Sequence, residues 1–83
     1  MIKAIQGNVD LSDLYLDRLP DFLEDVIVKG YFYCSYNSLT SLEGLPKEIG
    51  EDLYISFAKG IYFTEEEIRK VSNIKGRVYI IEA

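Results

Sequence analysis

At 83 residues and 48% apolar composition, the chain is long enough for one domain around one modest core and too apolar for disorder. A formal net charge of −5 argues against nucleic acid as a partner, because phosphate binding needs a basic patch. One cysteine, no histidine and no apolar run near the ~18–20 residues of a membrane span exclude an internal disulfide, the commonest general base and metal ligand, and a spanning helix.

The first recognisable element is Val9-Asp10-Leu11-Ser12, and three further segments resemble it: Phe32-Tyr33-Cys34-Ser35, Leu53-Tyr54-Ile55-Ser56 and Val78-Tyr79-Ile80-Ile81. In each, two apolar residues flank a polar residue or a tyrosine. From Leu11 to Cys34 is 23 residues, from Cys34 to Ile55 is 21 and from Ile55 to Ile80 is 25. These periods match one leucine-rich repeat, of roughly 20–29 residues. They predict four short parallel strands near 9–12, 31–35, 52–56 and 77–81, each with one face inward.

The second unit is the fullest. Phe32-x-Cys34-x-x-Asn37-x-Leu39-x-x-Leu42 follows the pattern L-x-L-x-x-N-x-L-x-x-L. Asn37 is expected to turn the chain inward, its amide bonding backbone groups that the turn leaves unpaired. The first unit has Leu14 in its place, the third has Ala58, with Gly60 where Leu39 stands, and the fourth stops earlier. Residues 36–50, Tyr-Asn-Ser-Leu-Thr-Ser-Leu-Glu-Gly-Leu-Pro-Lys-Glu-Ile-Gly, resemble the repeat of short leucine-rich-repeat proteins from bacterial and tailed-phage genomes. The resemblance implies an α/β solenoid over one domain, residues 1–83, with a protein-binding habit and no particular target.

Between the strands, Leu19-Pro20-Asp21-Phe22-Leu23 and Leu45-Pro46-Lys47-Glu48-Ile49 read as short helical turns or extended pieces on the convex side. Gly30, Gly50 and Gly76 fall just before strands, where the chain must reverse. One helix is predicted over about 65–72. Thr64 and Glu67 form a capping box, Phe63 and Ile68 occupy the staple positions, and Glu65, Glu66 and Glu67 complement the helix dipole, with Arg69 and Lys70 toward its far end. Ile68, Val71 and Ile74 are expected to pack on the sheet.

The alignment sorts side chains into rows. Val9, Phe32, Leu53, Val78 and Leu11, Cys34, Ile55, Ile80 point inward, while Asp10, Tyr33, Tyr54, Tyr79 point outward on the concave face. The flanking rows read Asn8, Tyr31, Asp52, Arg77 and Ser12, Ser35, Ser56, Ile81, with Tyr36 and Phe57 just beyond. Tyrosine is favoured at interfaces and also stabilises sheets by cross-strand contact. The expected protein-binding surface comprises Asp10, Tyr31, Tyr33, Tyr36, Asp52, Tyr54, Arg77, Tyr79 and Ile81.

No enzyme activity, cofactor or metal is expected. Cys34 occupies a core position, and Asp10, Asp13 and Asp17 lack the spacing of a calcium loop. The lone cysteine and the absence of a long apolar N-terminal stretch predict a cytoplasmic setting. The function expected is a module that binds and modulates a larger protein, a host protein being the natural class given the phage-like resemblance. Two alternatives stand beside it. Residues 1–28 carry a net −4, and Asp10, Asp13, Asp17, Asp21, Glu24 and Asp25 could mimic a nucleic acid. The C-terminal strand Val78–Ile81, with little after it to cap it, could join a structural assembly or a homodimer.

Overall fold

The computed structural model describes residues 3–82. It contains eight strands, β1 (Lys3–Ile5), β2 (Val9–Asp10), β3 (Val26–Val28), β4 (Phe32–Leu39), β5 (Glu48–Ile49), β6 (Leu53–Phe57), β7 (Asn73–Ile74) and β8 (Val78–Ile80), and one helix, α1 (Glu65–Val71). A 3-10 turn covers Asp21–Asp25. The strands form two parallel four-stranded sheets, ordered β1-β3-β5-β7 and β2-β4-β6-β8. Successive strands thus alternate between the two sheets.

The second sheet contains the four segments expected from the sequence, in the expected register. Val9 pairs with Phe32, Phe32 with Leu53, and Leu53 with Val78; Asp10, Tyr33, Tyr54 and Tyr79 form the next row. The bounds differ by a few residues, most at β4, which continues to Leu39. The first sheet was not expected. Its members are two or three residues long, too short for a period to show, and only Val26-Ile27-Val28 signals a strand by its β-branched run. The pieces expected as short helical turns or extended segments take one form each: Pro20 leads into the 3-10 turn, whereas Glu48–Ile49 is an extended strand.

The core lies between the sheets. Val28 and Ile49 from the first sheet and Phe32, Cys34, Leu39, Leu53 and Ile55 from the second are fully buried. Where the chain passes from one sheet to the other, turns stack directly on one another. A Cβ on Gly50 would fall 2.2 Å from the Lys29 carbonyl oxygen, so only glycine fits that approach.

Asn37 is 2% exposed. Its Oδ1 accepts from the N–H groups of Leu14 and Leu16, both at 3.0 Å, and its Nδ2 donates to the Leu11 carbonyl at 2.8 Å. The amide therefore holds the loop of the preceding unit, where Leu14 occupies the equivalent place. Asp13 and Tyr36, one position earlier in the two units, both have left-handed backbone, at φ 58° and 57°. The third unit departs from the ungapped alignment. Leu39 pairs with Phe57 instead of matching Gly60, and the register shifts between Cys34 and Leu39. β6, with Ala58 at the asparagine position, carries no such turn.

α1 begins as the sequence requires. Thr64 Oγ1 accepts from the Glu67 N–H at 3.1 Å, and Glu67 Oε1 accepts from the Thr64 N–H at 2.9 Å. Arg69 donates to Glu65 at 2.8 Å and to the Ile74 and Gly76 carbonyls at 2.7 and 2.8 Å, tying the helix to the turn before β8. Ser72 caps the end, and its hydroxyl donates to the Pro46 carbonyl at 2.6 Å. Ile68 and Ile74 are buried, but Val71 is 53% exposed, contrary to expectation. Ser72, four residues after Ile68, takes the inward place at the helix end instead, at 2% exposure.

Asn37→Ala leaves two part-buried N–H groups unpaired and is expected to cost at least about 2 kcal/mol in urea denaturation. Asn37→Asp keeps the acceptor but loses the donor to Leu11 and buries a charge, so it should recover none of that loss. A second expectation concerns pH. The hydrogen bonds from Thr64 hold the Glu67 carboxyl below its usual value. Its contribution is present above the unfolded value of about 4.3 and is lost as pH falls through the lower folded value. Glu67→Gln retains an acceptor for the Thr64 N–H, so denaturation across that window should show a smaller acid-induced loss than wild type.

Candidate protein-docking face

Alternation along β4, β6 and β8 turns three tyrosines out of the face opposite the core. Phe32, Cys34, Leu53 and Ile55 are completely buried, while Tyr33, Tyr54 and Tyr79 between and beside them are half-buried. Tyr31, just before β4, joins them. The four rings form one continuous stack. Tyr31 and Tyr33 lie 5.9 Å apart at 9°, Tyr33 and Tyr54 5.1 Å at 24°, and Tyr54 and Tyr79 4.8 Å at 17°. These spacings fall in the range of favourable ring pairs. Because the inner rings spend their faces on one another, the row offers solvent mainly ring edges and hydroxyls.

The charged residues expected around the row take defined places. Asp10 is exposed at the β2 end, and its carboxylate accepts from the Ser12 N–H at 2.9 Å. Asp52 is half-buried, and its Oδ1 accepts from the Arg77 N–H at 2.7 Å. Asn8 does the same for the Tyr31 N–H at 2.8 Å. Asn8 and Asp52 therefore serve first to close the turns that deliver tyrosine-bearing strands. Desolvation along the crowded row pushes the Tyr54 phenol above its ordinary value, and Tyr79 and Asp52 add to the effect.

The other expected residues are less close to the stack. Tyr36 is 57% exposed at the bulge of β4 and stacks on none of the four rings. Ile81 is half-buried past the end of β8, its N–H donating to the Ile55 carbonyl at 2.7 Å. Ser35 and Ser56, in the row before Tyr36 and Phe57, are buried, because the bulge folds over them; the Ser56 hydroxyl accepts from the Tyr36 N–H at 3.0 Å.

Sequence reasoning left several exposed residues unplaced. Tyr15 is 91% exposed, Tyr62 87% and Phe22 72%. Nothing in the repeat pattern marks them, since each lies on a connection between strands. A groove of about 640 Å³ runs beside β8, lined in part by Phe57, Ala58, Phe63, Ile80 and Ile81. It opens where β6 omits the turn that Asn37 builds in β4. The only hint in the sequence is Ala58 at the asparagine position.

Among the described residues, no group of three or more acidic, cysteine or histidine side chains is placed to hold a metal ion, and no helix is long and apolar enough to cross a membrane. Cys34 is buried, and burial pushes its thiol far above the ordinary range, which keeps it protonated and unreactive. No protein-family model matches the chain, and no curated protein or solved structure is significantly similar to it.

The stack makes a graded prediction. Tyr33 has a ring on each side and Tyr79 on one. Tyr33→Leu is expected to destabilise the fold by about 1–3 kcal/mol and Tyr79→Leu by roughly half as much, at about 0.5–1.5 kcal/mol per ring pair. Equal losses in chemical denaturation would mean that the stacking contributes little beyond burial.

Proposed function

We propose that the chain is a small leucine-rich-repeat-like solenoid whose tyrosine row docks on a larger protein and modulates it without chemistry of its own. The two parallel sheets, with the chain alternating between them at each step, support the solenoid reading. So does the side chain of Asn37, which does what the repeat motif requires of it. A cytoplasmic setting and a host target belong to the same reading, resting on the lone reduced cysteine and on the resemblance of residues 36–50.

One observation carries the docking reading: four stacked tyrosines are held half-exposed on one rigid strand face, with Asp10 and Arg77 exposed on the same face. A preformed aromatic surface loses little entropy on binding and supplies large contact area, as interface centres do. The flanking charges would set orientation more than affinity.

The test is capture of partners from lysate by the wild type and by the triple variant Tyr33→Ala/Tyr54→Ala/Tyr79→Ala, with circular dichroism to verify folding. Partners bound through the row should be lost by the folded triple variant and retained by wild type as salt is raised from 50 to about 500 mM. Partners that survive the triple change, or that wash off steeply with salt, would point to the acidic N-terminal segment instead.

A further inference from the structure

β8 is the outer strand of its sheet, and its backbone groups divide by side. The Arg77 carbonyl accepts from the Leu53 N–H, and the Ile81 N–H donates to the Ile55 carbonyl. Alternation along the strand then turns the N–H and C=O of Val78, and those of Ile80, away from β6. The open edge is therefore short but complete, with two donors and two acceptors in line.

We propose that a second copy of this chain covers that edge, with its β8 antiparallel to the first and the two-fold axis at Tyr79. In that register Val78 of each copy faces Ile80 of the other as a hydrogen-bonded pair. Tyr79 meets its own counterpart as the non-hydrogen-bonded pair, the arrangement in which side chains approach closest. All four outward groups on each copy find partners.

Three features favour the chain's own copy. Tyr79 has Tyr54 against one face, and no aromatic ring covers the other among the described residues. A second Tyr79 continues the stack, joining two four-ring rows into one of eight. Ile80 belongs to an inward row yet is 44% exposed, because β8 has no strand on its outer side among the described residues. A neighbouring strand covers it as Ile55 is covered. Finally, Val78–Ile80 contains no charge and no proline, the usual devices that keep an edge strand single. The alternative self-contact, β2 of another copy laid parallel on β8, would put Asp10 after Tyr79 and end the stack. It would also be head-to-tail and build open polymers, whereas the two-fold contact closes at two copies. The inference does not depend on what binds the tyrosine row.

The interface is small, below the roughly 1,000 Å² of a standing complex, so dissociation in the range of about 10–100 µM is expected. Sedimentation of the 83-residue chain should show monomer giving way to dimer over that range, with no larger species. Ile80→Lys should remain monomeric at the highest concentration while keeping the wild-type circular dichroism spectrum. It leaves all four rings in place, so loss of dimer is read separately from loss of a docking partner. Register is tested by oxidation: Tyr79→Cys should cross-link to itself across the axis, and Arg77→Cys, two residues away, should not. The proposal is overturned if wild type stays monomeric to about 0.5 mM, if polymers grow beyond two copies, or if the two cysteine variants cross-link equally.

Discussion

Parallel pairing between strands one full repeat apart is the constraint on which this molecule rests. Val9 meets Phe32, Phe32 meets Leu53 and Leu53 meets Val78, partners separated by 23, 21 and 25 residues. With strands in this register, each residue type is stacked on its equivalent in the next unit. A core position must then suit its neighbours above and below as well as the opposite sheet. The sequence of Phe32, Leu53 and Val78 in one row, beside Cys34 and Ile55 in another, satisfies that condition with no buried polar side chain left unpaired among the described residues. The tyrosine row follows from the same register, since residues that alternate with core positions must face outward together.

The second sheet could be read from the sequence because its strands carry two signals at once: alternation over three or more residues and recurrence at a fixed period. The first sheet carried neither. Glu48–Ile49 and Asn73–Ile74 are two residues each, and Lys3–Ile5 has no distinctive pattern. Their pairing is imposed by the neighbouring strands, which fix where the chain must return. The helix start was legible to the residue, because a capping box is local chemistry between Thr64 and Glu67.

The turn built by Asn37 illustrates where pattern reading stops. The motif identifies the asparagine, and burial of its amide follows. That the amide serves the loop of the preceding unit, and that the third unit drops the turn altogether, depends on contacts across 21–26 residues. β6, with Ala58 at that place, takes a shorter path, and the groove beside β8 lies where the turn is missing. Of the candidate surface, Tyr33, Tyr54 and Tyr79 were legible as a row, with Tyr31 in the row beside it. The roles of Asn8 and Asp52 in closing turns were not, because a polar residue before a strand looks the same whether it faces a partner or a neighbouring backbone N–H.

The absence of any hairpin among the described strands bears on how the chain acquires this structure. Every ladder pairs residues 18–25 positions apart, so almost nothing in either sheet can form locally. Among the described residues α1, the 3-10 turn and the turns at 42–45 and 58–61 close over short distances, and all are too brief to persist alone. The entropy of closing a long loop must therefore be met before the first strand pair gains anything. For its size the chain belongs with slow, topologically demanding folders, in the millisecond-to-second range, and not with small helical domains. Its first productive event is expected at β4 and β6, where the longest strands offer the largest immediate gain to the first contact.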